Sequence, residues 1–150
     1  MFHYKWTVNG TELSHDSPVL PKEMFKRGDK LTLTIVPYDR DGDGTPFVFR
    51  NMVIPNAPPR ITSTPPQNFE GHVFTYQVTA EDPDKDPIAF SLSAAPPGMT
   101  IDSKTGLITW QVDEKSAGEH IIEVVVQDPA GLKAVQKFSL TINIPEGGAK

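Results

Sequence analysis

Residues 79–110 read TAEDPDKDPIAFSLSAAPPGMTIDSKTGLITW, and the fold class follows from this stretch. Ile88, Phe90 and Leu92 alternate with Ala89 and Ser91, and Ile108, Trp110 and Val112 alternate with Thr109 and Gln111. That two-residue period is the mark of a strand with one apolar face. Between the two runs lie Pro96-Pro97-Gly98 and Asp102-Ser103-Lys104-Thr105-Gly106, where Pro presets φ and Gly accepts positive φ, so each closes a turn. Ahead of both, Asp82-Pro83-Asp84-Lys85-Asp86-Pro87 is an acidic turn punctuated by prolines.

The same alternation extends outward. Phe74, Tyr76, Val78 and Ala80 form an inward set upstream, with Ile122, Val124 and Val126, then Phe138, Leu140 and Ile142, downstream. Nearer the start, Phe2, Tyr4, Trp6 and Val8 alternate with His3, Lys5 and Thr7, and Asn9-Gly10 turns the chain into Thr11-Glu12-Leu13. Leu31, Leu33 and Ile35 make a further strand, and Phe47, Phe49 and Met52 to Ile54 another, bracketed by Pro46 and Pro55. Only Pro21 to Arg27 suits a helix, of one or two turns. The chain is therefore all-β, a tandem of antiparallel β-sandwiches. Asn56-Ala57-Pro58-Pro59 reads as a linker, because consecutive prolines hold an extended backbone and donate no ladder hydrogen bonds. The expected domains are residues 1–56 and 57–145, followed by a tail at 146–150.

Composition excludes several functions. A formal net charge of −5 with no Lys/Arg cluster gives no basic surface for nucleic acid. No apolar run is long enough for membrane insertion. With 0 Cys there are no disulfides, thiolate metal sites or Cys nucleophiles. His3, His15, His72 and His120 have no ligand-pair spacing, and there is no Gly-x-Ser-x-Gly elbow. The chain reads as a non-enzyme.

Two acidic clusters invite a cation. In Asp39-Arg40-Asp41-Gly42-Asp43-Gly44, the alternate carboxylates of Asp39, Asp41 and Asp43 fit the opening of a calcium loop. Arg50 stands where an EF-hand needs its twelfth-position acid, so any site here is improvised, and an Asp/Gly turn between strands is the alternative. Glu81, Asp82, Asp84 and Asp86 form the second cluster, readable either as metal ligands or as turn formers capping their own backbone amides. Trp6, Trp110, Tyr4 and Tyr76 suggest a platform for sugar rings, but each falls in an inward set, which favours core packing.

Residues 57–145 resemble the bacterial immunoglobulin-like and cadherin-like repeat, of the type also found in dystroglycan-like proteins. The resemblance rests on Ala57-Pro58-Pro59, the run Phe74 to Asp84, Pro96 to Asp102, Thr105 to Trp110, and the paired runs Val124 to Asp128 and Phe138 to Ile142. It implies an immunoglobulin-like sandwich and a calcium site in which Asp82, Asp84 and Asp86 are joined by Glu70 and Asp128. Residues 1–56 are similar to a second bacterial immunoglobulin-like type, in Tyr4 to Gly10, Phe25 to Asp29 and Asp39 to Pro46. There the aromatic strand is normally preceded by about two further strands, and here it stands almost first. A longer parent protein, packing on the second domain, or a partner supplying strands by β-addition would each account for this. The implied role is a secreted or cell-surface structural and adhesive module, with a protein partner or self-association through the strand at Tyr4 and Trp6. The alternative is an accessory polysaccharide-binding module of a secreted enzyme.

Overall fold

A computed structural model describes residues 1–144. The tail read at 146–150 and Pro145 before it lie outside the described residues. The chain divides into two compact units, Met1–Asn56 and Ala57–Lys150. Both are built from strands, interrupted only by single 3₁₀ turns at Lys22–Met24 and Glu114–Ser116 among the described residues.

Unit 1 holds β1 (Phe2–Val8), β2 (Thr11–Leu13), β3 (Lys30–Asp39), β4 (Gly42–Asp43) and β5 (Phe47–Val53) in one sheet. The β1–β2 hairpin turns at Asn9 and Gly10, whose φ values of 50° and 84° both lie in the left-handed region. Asn9 also ties that turn to the next strand. Its Nδ2 donates to Asp29 Oδ1 and its Oδ1 accepts from Lys30 N, each at 2.9 Å. Asp29 Oδ2 accepts from Lys26 N at 2.8 Å, so this buried carboxylate holds the entry to β3 as well.

The register places Tyr4 opposite Ile35, Trp6 opposite Leu33, and Val8 opposite Leu31. Across β3, Phe47 faces Ile35, Phe49 faces Leu33, and Met52 faces Leu31 beyond a bulge. Residues directly opposite in a ladder share a face of the sheet, so all these side chains lie on one side. Alternation alone suggests that Phe2, Tyr4, Trp6 and Val8 are all buried there. In fact Trp6 is 8% exposed and Phe2 55%. The reason is that unit 1 is a single layer, and a face needs a second layer to be buried.

Unit 2 begins with β6 (Arg60–Ile61), β7 (Asn68–Glu70), β8 (Val73–Gln77) and β9 (Ala80–Glu81). It continues with β10 (Ala89–Ala94), β11 (Thr100–Ile101), β12 (Leu107–Gln111), β13 (Gly118–Gln127) and β14 (Lys133–Asn143). One sheet runs β10-β13-β14-β7, a second β11-β12-β8, and β6 pairs with β9. Their inner faces meet in one core of Phe74, Tyr76, Val78, Phe90, Met99, Ile108, Trp110, Val112, Ile122, Val124, Val126, Leu140 and Ile142. The inward sets read from alternation supply twelve of these thirteen, Met99 being the addition. Polar ends are satisfied within the core: Tyr76 Oη on β8 donates to Gln136 Oε1 on β14 at 2.9 Å, and Trp110 Nε1 donates to Pro97 O at 3.2 Å.

Candidate metal centre

The acidic turn between β9 and β10 carries the chemistry. Asp-Pro and the short Asx side chain favour a chain reversal over strand continuation, and Lys85 takes a left-handed φ of 59° at its tip. Asp82 Oδ1 accepts from Asp84 N at 2.8 Å and from Asp86 N at 3.3 Å. Asp84 Oδ2 accepts from Ala57 N at 2.9 Å, which anchors the first residue of unit 2 on this turn. The turn reading and the ligand reading thus apply to different oxygens. While Oδ1 of Asp82 organises the backbone, its Oδ2 is buried and has no hydrogen-bond partner.

Asp82, Asp84 and Asp86 are half-buried, and each offers a carboxylate oxygen within 4.8 Å of the others. Among the described residues this is the one set of three acids or histidines that converges so closely. Three carboxylates with no His or Cys make a hard, anionic donor set. That suits Ca²⁺, which takes roughly 6–8 oxygens, better than zinc or copper. A buried polar atom without a partner is costly, and a cation beside Asp82 Oδ2 removes that cost. The residues present therefore fit calcium, with backbone carbonyls and water left to complete its shell.

The other predicted ligands sit elsewhere. Glu70 ends β7, exposed and opposite Asn143 in the parallel ladder with β14. Asp128 is buried, and its Oδ1 accepts from Leu132 N at 2.9 Å, closing the turn between β13 and β14. Neither joins the converging set. Asp39, Asp41 and Asp43 do not converge either, because they form the tight β3–β4 hairpin: Asp39 pairs with Gly42, Tyr38 pairs with Asp43, and Asp39 Oδ1 caps Asp41 N at 2.8 Å. A hairpin that short spreads alternate side chains to different sides, whereas a calcium loop wraps them inward. The rings of Trp6, Tyr76 and Trp110 are buried and Tyr4 is half-buried, so these four form no open sugar platform. Sequence reasoning did not find the Ala57–Asp84 bond, which joins positions 27 residues apart.

The family described as "Putative Ig domain" matches residues 51–143, well over half of the chain. The chain belongs to this family. The match runs from the end of unit 1 through residue 143 of unit 2, and it indicates no catalytic family. No match was found among curated proteins. Among solved structures, the chain is similar to Drosophila N-cadherin EC1-3, at 13% identity and a TM-score of 0.51, covering 96% of this chain and 55% of that one. It is similar to the protocadherin gamma B7 extracellular cadherin domains 1-4, at 16% identity and a TM-score of 0.51, covering 98% and 42%. A "putative alpha-galactosidase" from Bacteroides fragilis aligns at 23% identity and a TM-score of 0.47, covering 59% and 18%. The chain thus spans between 18% and 55% of the length of these solved chains. The immunoglobulin-like and cadherin-like fold read from residues 57–145 holds, and no helix among the described residues is long and apolar enough to cross a membrane.

Proposed function

We propose that the chain is a non-catalytic, extracellular structural and adhesive module whose Ig domain is stabilised by calcium held at Asp82, Asp84 and Asp86. The observation carrying this reading is the buried Asp82 Oδ2 without a hydrogen-bond partner, on one of three acids whose carboxylates converge. A bound Ca²⁺ neutralises the mutual repulsion of the three acids. It also holds the turn that receives Ala57 N, so the start of the Ig domain is fixed along with the loop. Charge neutralisation and cross-bracing of a loop are mechanical contributions and need no reacting group.

Calorimetric titration and thermal melting test it. Calcium binding to the folded state alone stabilises by about 2.7 kcal/mol at a hundred times the dissociation constant, so the melting transition of unit 2 rises with added calcium. Asp82→Asn keeps the amide-capping oxygen and loses the charge. It is expected to leave the calcium-free protein as stable or slightly more so, and to abolish the calcium response. Absence of both heat and melting shift in the wild type ends the calcium reading.

A further inference from the structure

We infer that Asn9 is a modification site, a spontaneously deamidating asparagine whose product cannot re-form the turn it came from, so that opening of unit 1 is recorded in one direction only. Asn9 is the asparagine that a glycine follows, whereas Asn51, Asn56, Asn68 and Asn143 precede Met52, Ala57, Phe69 and Ile144. Deamidation begins when the next residue's backbone nitrogen attacks the side-chain carbon Cγ, and a side chain on that next residue hinders the approach. Gly10 has none, so a close approach is open to it. Nothing stands within 4 Å of where a Cβ would be, and the exposed Gly10 N–H donates to no group among the described residues.

Water is the only co-reactant. The Gly10 nitrogen gives up its proton to a solvent base and bonds to Asn9 Cγ, the Cγ–Nδ2 bond breaks, and Nδ2 leaves as ammonia after taking a proton from solvent. Water then opens the succinimide ring at either carbonyl, leaving aspartate or isoaspartate at position 9.

In the closed turn the attack is blocked. Asn9 Nδ2 donates to Asp29 Oδ1 and Asn9 Oδ1 accepts from Lys30 N, each at 2.9 Å, while Asn9 N donates to Lys30 O at 2.8 Å. The amide is thereby held toward the start of β3, and Cγ meets the Gly10 nitrogen only after those bonds open. Such local opening takes less free energy than global unfolding.

After the reaction, the group that guarded Asn9 prevents reclosing. Asp29 is 6% exposed, and its Oδ2 already accepts from Lys26 N at 2.8 Å. Aspartate at position 9 puts a carboxylate oxygen where Nδ2 stood, acceptor against acceptor and like charge against like charge. The Lys26 charge favours the Asp29 carboxylate less than the Asn9 bond does, so it does not replace that bond. Isoaspartate routes the backbone through the side chain and lengthens the turn, which breaks the pairing of Val8 with Thr11. The loss reaches beyond the turn, because Asp29 O accepts from Ile54 N at 3.0 Å just past β5, and the buried Leu31 lies opposite Val8.

The site lies in unit 1 and involves no metal, so its test and that of the calcium reading fail separately. The full chain is incubated at mildly alkaline pH with and without urea, ion-exchange chromatography reads the added negative charge, and peptide mapping assigns it to a residue. Asp41-Gly42 and Asp43-Gly44 can pass through the same ring, but they gain no charge and stay out of this readout. The unfolded chain is expected to accumulate the acidic form at Asn9, and the folded chain to resist it. Asp29→Asn, its fold verified by circular dichroism, should deamidate about tenfold faster than the folded wild type, because a charged hydrogen-bond acceptor is gone. Asn9→Asp supplies the product directly and should lower the urea midpoint of unit 1, read by Trp6 fluorescence in the Trp110→Phe background. N9D/D29N exchanges the two groups, sets a donor against an acceptor again, and should regain most of the loss. Equal rates at Asn9 in the folded and unfolded chain overturn the inference, and so does an N9D variant as stable as wild type or one that D29N fails to rescue.

Discussion

Unit 2 folds the inner faces of its sheets onto one another, so that Phe74, Ile108, Ile122, Val124 and Leu140 are each essentially sealed from water. In unit 1 residues with the same alternation share a face of one sheet, yet of its large apolar side chains only Trp6 and Leu31 are buried. Local strand propensity is similar in the two, and the difference lies in the number of layers. Alternation decides which residues share a side, but burial requires something to lie against that side.

The widest test of this contrast is a matched truncation. Phe74→Ala removes a sealed ring and should destabilise unit 2 by about 3–5 kcal/mol. Phe49→Ala, measured at high dilution where no partner is present, should change unit 1 by less than about 0.5 kcal/mol. The two tryptophans make this readable, since Trp6 reports on unit 1 and Trp110 on unit 2. Urea unfolding followed by fluorescence in Trp6→Phe and Trp110→Phe backgrounds separates them. Equal costs would show that the face of unit 1 is closed after all.

A smaller effect sharpens the same contrast at two glycines with nearly equal backbones. Gly10 has φ +84° and open space where a Cβ would stand. Gly106 has φ +77°, but a Cβ there would lie 2.7 Å from Val78 O and 2.9 Å from the Phe90 ring. Gly10→Ala should therefore cost only the left-handed penalty, about 1 kcal/mol. Gly106→Ala adds overpacking of roughly 1–3 kcal/mol in a core that has no room to give. Denaturant midpoints of the two variants compare them directly, and similar losses would mean that the core around Phe90 yields more readily than its packing implies.

The strands and the inward sets of unit 2 were legible because each strand's partner face is made by other strands of the same unit, so periodicity and burial coincide. The acidic turn was legible as well, since Asp82, Asp84 and Asp86 are close in sequence and converge on one side of one loop. What stayed hidden depends on distance along the chain. Glu70 and Asp128 were expected as ligands from their positions in the family's pattern; they stand at the end of β7 and at the β13–β14 turn and are not in the set that converges within 4.8 Å. Asp39, Asp41 and Asp43 shared the spacing of a calcium loop, and a hairpin of that length directs them differently. The exposure of Phe47 and Phe49 was invisible for a similar reason: alternating apolar residues read alike whether or not a second layer exists.

The smallest effect concerns carboxylates that close turns, one in each unit. In unit 2 the pKa of Asp102 lies below the ordinary carboxylate value because the backbone amides of Thr105 and then Lys104 donate to it. Both donors are within three residues, so part of this arrangement can persist in the unfolded chain. Asp29 of unit 1 is also lowered, first by the Asn9 side chain and then by the Lys26 amide, and Asn9 lies 20 residues away. That contact exists only in the folded sheet. A carboxylate whose folded pKa is depressed stabilises the fold above its unfolded pKa of about 3.9, and loses that contribution as the pH falls through the lower, folded value. Asp29→Asn should therefore lower the stability of unit 1 at neutral pH and flatten its acid dependence below the ordinary carboxylate range, with Trp6 fluorescence as the readout. Asp102→Asn should flatten the acid dependence of unit 2 less, because its folded and unfolded environments differ less. If unit 1 keeps its full acid sensitivity in Asp29→Asn, the clasp between Asn9 and Asp29 is not what holds its two turns together.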